Sequence, residues 1–203
     1  MTKIKLCGLM RPEDAAACNA VRPDLAGMIL SAGFRRSVTR ETAKAIRKTL
    51  AGSIPAVGVF VNAQIAEITA FSERGIIQLV QLHGDEDAAY IRNRRMVCTL
   101  PIIKAYTIRT AADVQQTMRS DADIVLLDAG TGTGSSFDHT LLAGCTRPYF
   151  LAGGLTPENA AAVIAQYHPY GVDTSSGIET DGQKDIAKMR AFAAAVRQCE
   201  GTD

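Results

Sequence analysis

The 203-residue chain lacks an excess of charge of either sign: 22 Lys and Arg stand against 21 Asp and Glu, for a formal net charge of +1. A nucleic-acid or anionic-membrane surface calls for a basic surplus, so neither partner is expected. No apolar run is long enough to span a bilayer. Met1-Thr-Lys-Ile-Lys5 leads straight into strand-like sequence without the apolar core of a secretory signal. The five cysteines, Cys7, Cys18, Cys98, Cys145 and Cys199, are odd in number, far apart and never arranged as C-x-x-C. That argues against a disulfide framework or a zinc site and fits reduced thiols in the cytoplasm. Only three histidines are present. The first strand is followed by Cys7-Gly-Leu-Met-Arg-Pro12, which has one glycine where a dinucleotide-binding sheet has G-x-G-x-x-G. No charge run, low-complexity stretch or composition shift marks a linker, so residues 1–203 are read as one domain.

What is present is an alternation of short apolar runs with amphipathic stretches, repeated eight times. Strands are predicted near 3–7, 25–30, 56–61, 77–82, 102–106, 124–128, 148–152 and 171–174. They are rich in Val, Ile and Leu without strict polar alternation, as in strands buried on both faces. Helices are predicted near 12–21, 40–51, 64–74, 86–96, 111–119, 139–144, 157–167 and 184–199. Thr156-Pro157-Glu158 reads as a helix start, with a capping hydroxyl, Pro at the first helical position and an acid in the first turn. Short connections between strand and helix imply parallel strands, and eight units suffice to close them. The expected class is α/β, a single-domain (β/α)8 TIM barrel with parallel strands.

Chemistry in such a barrel sits at the carboxyl ends of the strands. Two reactive groups fall there. Asp128 ends the run Ile124–Leu127 and opens a loop with glycines at 130, 132 and 134; Cys7 ends Lys3–Leu6 just before Gly8. An acid and a thiol at strand ends suit proton transfer in both directions, the acid with a pKa raised by partial burial and the thiol as base. Bland alternatives are a loop-capping carboxylate and a small buried hydrophobe. Other polar residues at strand ends are Ser31, Asn62, Gln81, His83 and Asp173. Leu151-Ala-Gly-Gly-Leu-Thr-Pro157 ends the seventh strand and Val172-Asp-Thr-Ser-Ser-Gly177 the eighth. Glycines and hydroxyls after these two strands are the usual barrel phosphate site, here Gly153, Gly154, Ser175, Ser176 and Gly177.

In order along the chain, Cys7-Gly8 with Arg11-Pro-Glu-Asp14, Gln81-Leu-His-Gly84, Leu127-Asp128 with its Gly-Thr-Gly loop and Phe137-Asp138, Ala152-Gly-Gly154 and Gly171-Val-Asp-Thr-Ser-Ser-Gly177-Ile-Glu179 resemble phosphoribosylanthranilate isomerases. The resemblance implies a (β/α)8 barrel of tryptophan biosynthesis that needs no cofactor or metal. It implies an Amadori rearrangement of N-(5-phosphoribosyl)anthranilate to 1-(o-carboxyphenylamino)-1-deoxyribulose 5-phosphate. It also makes Cys7 and Asp128 the base and acid, and Arg36 the holder of the benzoate carboxylate. Arg35 stands beside Arg36 where the family often reads Ser-Pro-Arg, so either arginine is a candidate. Gln81, His83 and Asp173 join them near the substrate. Met10 stands where the family usually has Thr, and His139 where it often has Trp. The expected partner is a small phosphorylated molecule, bound by a cytoplasmic monomer or homodimer. The competing readings are a metal-dependent sugar-phosphate epimerase, which needs more histidine ligands, and a catalytically silent phospho-ligand-binding barrel.

Overall fold

The computed structural model describes residues 1–128, 141–142 and 145–199. Eight parallel strands, β1 (Lys3–Leu6), β2 (Leu25–Ile29), β3 (Ala56–Phe60), β4 (Leu79–Leu82), β5 (Ile102–Thr107), β6 (Ile124–Asp128), β7 (Tyr149–Ala152) and β8 (Gly171–Thr174), form a closed barrel in chain order. Closure comes from β8 pairing with β1, with Lys5 opposite Asp173 and Leu6 opposite Thr174. Around it run α1 (Pro12–Val21), α2 (Arg40–Thr49), α3 (Ile65–Ser72), α4 (Ala88–Val97), α5 (Ala111–Met118), α6 (Ala160–Tyr167) and α7 (Ile186–Gln198). Between β8 and α7 lie a 3-10 turn, Ser176–Ile178, and an antiparallel ribbon of β9 (Glu179–Thr180) and β10 (Gln183–Lys184).

The strand sequences explain the two-sided burial. Successive side chains on a strand point to opposite faces. One set, Leu25, Val57, Leu79, Ile103, Leu126 and Phe150, packs as an apolar plug inside the amino-terminal half of the barrel. The alternate set, including Ile4, Leu6, Ala26, Met28, Phe60, Val80 and Leu82, packs outward in one cluster with helix residues such as Ala15, Ile46, Ile68, Met189 and Phe192. Each fully buried side chain of this kind contributes about 1.5–3 kcal/mol. With its lower half plugged, the barrel opens only toward the carboxyl ends of its strands. That is where the polar inward-facing residues occur.

Two local expectations change. The helix predicted from 157 begins at Ala160, because the Asn159 side chain accepts from the Thr156 N–H at 2.8 Å and donates to the Gly154 carbonyl at 2.9 Å. Pro157 and Glu158 therefore sit in a turn, and the Thr156 hydroxyl accepts only from the Glu158 N–H. At α1 the Thr that Met10 replaces is not needed: Asp14, buried in the first turn, accepts from the N–H groups of Met10 and Arg11 at 2.8 and 3.3 Å. The helix predicted near 139–144 lies mostly outside the described residues, as do the glycines at 130, 132 and 134, Phe137-Asp138 and His139.

Candidate active site

A cavity of about 510 Å³ at the open end is lined by Cys7, Arg36, Gln81, His83, Asp128, Gly153, Gly154, Asp173, Ser175 and Ser176. This size suits a ligand of roughly drug-like dimensions. Of the residues given an acid, base, substrate or phosphate role from the sequence, Gly177 and the alternative arginine, Arg35, do not line it. A side chain at 177 would run into the Leu155 carbonyl, so this glycine lets the loop after β8 press against the loop after β7. Ser31 and Asn62 also stay outside: the Ser31 hydroxyl accepts from the Val61 N–H at 2.8 Å, and the Asn62 N–H donates to Glu86 at 2.7 Å. A larger cavity of about 720 Å³ adjoins across His83 and Thr107, which line both.

One wall of the site is built by β1 and β8. Lys5 is on β1 and Cys7, two residues on, directly follows its end, so both side chains face inward. Lys5 is fully buried and its Nζ donates to Asp173 Oδ1 at 2.9 Å across the β1–β8 pair. The Cys7 Sγ and the Lys5 Nζ both lie within 3.3 Å of where a Gly27 side chain would begin, so the bare backbone of β2 makes room for the two together. Burial opposes charge on Lys5, but Asp173 and then Cys7 outweigh it and raise its pKa. Burial pushes the Cys7 thiol up, against the opposing pull of Lys5 and, more weakly, of Lys184. Cys7 is therefore a neutral thiol in the unliganded protein, with a cation already beside it.

The opposite wall is built by β4 and β6. The Gln81 Nε2 donates to His83 Nδ1 at 3.0 Å, which leaves the ring proton on Nε2, directed at Asp128 Oδ2 at 3.3 Å. The Asp128 side chain is one-quarter exposed. Gln81 Oε1 is buried and has no hydrogen-bond partner among the described residues, a state that favours an incoming donor. Behind this wall, a buried Lys104 donates to the Gly84 carbonyl at 2.6 Å and to Glu86 at 3.0 Å, holding the turn after His83.

At the rim, Gly153 and Gly154 have φ of +100° and +64°, backbone that L side chains rarely adopt. They line the cavity with Ser175 and Ser176 of the neighbouring loop after β8, and Lys184 Nζ donates to the Ser175 carbonyl at 2.8 Å. Of the two arginines, Arg36 lines the cavity and Arg35 does not; both bind Glu179. Sequence reasoning gave no role to Lys5, Glu179 or Lys184, although Glu179 closes the last motif of the resemblance. For Lys5 a signal existed: a lysine inside an apolar strand, on the same face as the thiol. Among the described residues no three His, Cys, Asp or Glu side chains converge as a metal site would require. Nor is any described helix long and apolar enough to cross a membrane.

Comparison with known proteins puts a family beside this geometry. The family model for N-(5'-phosphoribosyl)anthranilate (PRA) isomerase matches residues 4–195. An N-(5'-phosphoribosyl)anthranilate isomerase of Endomicrobium trichonymphae is 41% identical over 194 residues, covering 93% of this chain and 95% of that protein. The crystal structure of phosphoribosyl anthranilate isomerase from Thermotoga maritima superposes with a TM-score of 0.88 at 29% identity, over 98% of this chain and 100% of that one. A phosphoribosyl anthranilate isomerase in complex with reduced 1-(o-carboxyphenylamino)-1-deoxyribulose 5-phosphate matches with a TM-score of 0.86 at 28% identity, over 98% and 100%.

Proposed function

The chain belongs to the phosphoribosylanthranilate isomerase family, and on that premise we propose how its own residues carry out the rearrangement. It is an aldose–ketose isomerase of tryptophan biosynthesis acting on N-(5-phosphoribosyl)anthranilate. Asp128 gives a proton to the ribose ring oxygen; the C1–O bond breaks as the anilino nitrogen lone pair forms the iminium. Cys7 then removes the proton on C2, and the electrons of that C–H bond form C1=C2 and neutralise the iminium. As the enolamine becomes the ketone, the C2 hydroxyl loses its proton and C1 gains one. The conversion is redox-neutral and leaves the atom count unchanged.

The observation that carries this reading is the placement of Cys7 and Asp128 on opposite walls of one cavity whose rim holds two glycines and two serines. A silent binding barrel has no use for a thiol flanked by a buried lysine. The raised pKa of Cys7 fits the order of steps. Burial keeps it a thiol until the iminium forms; that new cation, added to Lys5, then favours loss of the thiol proton to solvent through the open cavity, leaving the thiolate that takes the C2 proton. Lys5 thus supplies part of the stabilisation that the thiolate needs, outweighed by burial until the iminium adds its charge. His83 orients the Asp128 carboxyl, and the unpartnered Gln81 Oε1 accepts from a sugar hydroxyl. Gly153, Gly154, Ser175 and Ser176 hold the phosphate, and Arg36 the benzoate carboxylate. Gly177 contributes by keeping the two rim loops in contact rather than by touching the ligand.

All of these residues come from one chain, so a monomer suffices for the chemistry. The five free thiols suit a cytoplasmic setting. The test is the loss of phosphoribosylanthranilate fluorescence on adding purified protein, run with and without EDTA. Turnover that survives chelation supports the reading. No turnover by folded protein, or turnover that a divalent ion must restore, overturns it.

A further inference from the structure

Glu179 belongs to none of the acid, base or phosphate roles, yet three side chains meet on its carboxylate. It lies on β9 directly opposite Lys184 on β10, and the turn between them passes through Asp181 and Gly182 at φ of +51° and +76°. This ribbon folds back over the rim and buries both side chains, with 6% of Glu179 and none of Lys184 exposed. Glu179 Oε1 accepts from Arg36 Nε at 2.6 Å and from Lys184 Nζ at 2.9 Å. Its Oε2 accepts from Arg36 Nη2 at 3.0 Å and from Arg35 Nη2 at 2.5 Å. Lys184 in turn holds the carbonyl and hydroxyl of Ser175, at 2.8 and 3.3 Å, on the phosphate loop. Burial opposes charge on Glu179, but hydrogen bonds from Arg36, Lys184 and Arg35 pull its pKa down to about 2.

The guanidinium of Arg36 is therefore gripped along one edge, through Nε and Nη2. A guanidinium has five N–H donors in a rigid plane. Two are used here, and the Nη1 pair and the second Nη2 proton are not bound to Glu179, on a side chain that lines the cavity. Arg35 is used differently: its Nη2 meets Glu179 and its Nη1 the Gly182 carbonyl, while more than half of its side chain is in solvent. Three cations surround one carboxylate, an excess of positive charge at a site whose substrate carries two separate anionic groups.

We propose that Glu179 is a positioning residue that locks Arg36 edge-on, so that the free end of its fork receives the aromatic carboxylate of the substrate, while Lys184 fastens this clamp to the phosphate loop. The proposal rests on the isomerase reading and assigns Arg36, not Arg35, to the carboxylate. The clamp acts on recognition and leaves the proton-transfer groups in place. Its loss should raise KM more than it lowers kcat, and should do so only for ligands bearing the carboxylate.

The experiment compares the intact wild-type chain with Glu179→Gln and Glu179→Asp. The aspartate keeps the charge that Lys184 requires but is too short to grip both Arg36 nitrogens. Affinity is measured for reduced 1-(o-carboxyphenylamino)-1-deoxyribulose 5-phosphate and for the matching phenylamino compound without the ring carboxylate. A charge-assisted hydrogen-bond pair corresponds to about 10- to 100-fold in affinity. Both variants should lose most of the wild-type preference for the carboxylate ligand, while the phenylamino compound binds within a few-fold of wild type. Equal weakening of both ligands would reduce Glu179 to a structural role, and an unchanged preference in Glu179→Asp overturns the clamp even if Glu179→Gln does not fold. Failure of wild type to turn over phosphoribosylanthranilate strikes the isomerase reading instead, so the two failures are distinguishable.

Discussion

The two walls of the cavity are built on opposite physical terms. On the β1–β8 wall, Lys5 and Asp173 form an ion pair with 0% and 8% of their side chains exposed, and Cys7 is packed against it. On the β4–β6 wall, Gln81, His83 and Asp128 form a chain of longer contacts, 3.0 and 3.3 Å, with His83 and Asp128 partly in solvent. A buried charge pair is rigid and expensive to break from one side, because the remaining charge is left without water or partner. A partly hydrated hydrogen-bond chain is weaker, and its protons shift together without leaving a buried charge unpaired. The wall assigned the base is thus preformed, and the wall assigned the acid is tunable. Mutations should unfold or silence the first and merely detune much of the second.

The largest effects come from the two groups that touch reacting atoms, one on each wall. Cys7→Ala and Asp128→Ala should each lower kcat by about 10²–10⁴, the usual contribution of a positioned proton-transfer group. Cys7→Ser should not rescue, since a hydroxyl is a far weaker base at that position. Steady-state assays decide the matter: near-normal kcat in Cys7→Ala would return the thiol to packing alone. The raised thiol pKa also makes iodoacetamide inactivation of the free protein slow at pH 7 and faster as pH rises above 9. Bound product should protect.

Lys5→Met probes the buried wall directly. It leaves Asp173 alone in the barrel interior, and breaking a buried pair from one side costs about 3–5 kcal/mol. Replacing both partners, as in Lys5→Met with Asp173→Leu, should recover much of that stability in denaturant titrations but not the activity. If the single variant is as stable as wild type, the pair is not the rigid element described. The sign of its pH dependence follows from the raised pKa of Lys5. Its stabilising charge is fully present below the unfolded value of 10.5 and is lost only as pH climbs through the higher folded value.

How much of this was legible beforehand differs between the walls for a physical reason. The eight strands were readable because apolar runs buried on both faces are long and continuous, and observed bounds differ from expectation by at most two residues. Cys7, Asp128, Gln81 and His83 stood out as polar residues ending such runs. Lys5 sat inside a run, where a lysine reads as an interruption; only strand parity ties it to Cys7. Glu179 and Lys184 depend on a two-residue ribbon, too short to carry any periodicity. Gly177 was assigned to phosphate because it follows two serines, and sequence spacing does not reveal the Leu155 carbonyl pressed against it. The start of α6 moved because a side chain three residues on, Asn159, competes for the backbone groups that a capping Thr156 would organise.

The rim ribbon gives a smaller, pH-dependent signal. Glu179 has its pKa lowered from 4.5 to about 2, so it contributes stability that is complete above 4.5 and is lost as pH falls through 2. Melting temperatures recorded from pH 6 to pH 2 should fall for wild type and fall less steeply for Glu179→Gln, which has nothing there to protonate. Parallel acid limbs in the two proteins would contradict the buried charge at this position.

The smallest effect is expected on the tunable wall. The Gln81 amide donates to His83 Nδ1, and that single contact fixes which ring nitrogen keeps the proton facing Asp128. Gln81→Met has nearly the same length and removes both the donor and the buried, unpartnered Oε1. The orphaned oxygen lowers the stability of the wild-type barrel, so this variant should melt no lower than wild type. In turnover, it loses one neutral hydrogen bond of about 0.5–1.5 kcal/mol, which corresponds to a kcat lower by roughly 2- to 12-fold. The ring would then sample both neutral tautomers, which the nitrogen chemical shifts of His83 would report. A loss as large as that of Asp128→Ala would mean that Gln81 contacts the reacting atoms themselves, and the two walls would no longer differ in kind. No change in either kcat or the His83 tautomer would mean that His83 is oriented without Gln81, leaving the Asp128 contact as the part of that chain with a role in catalysis.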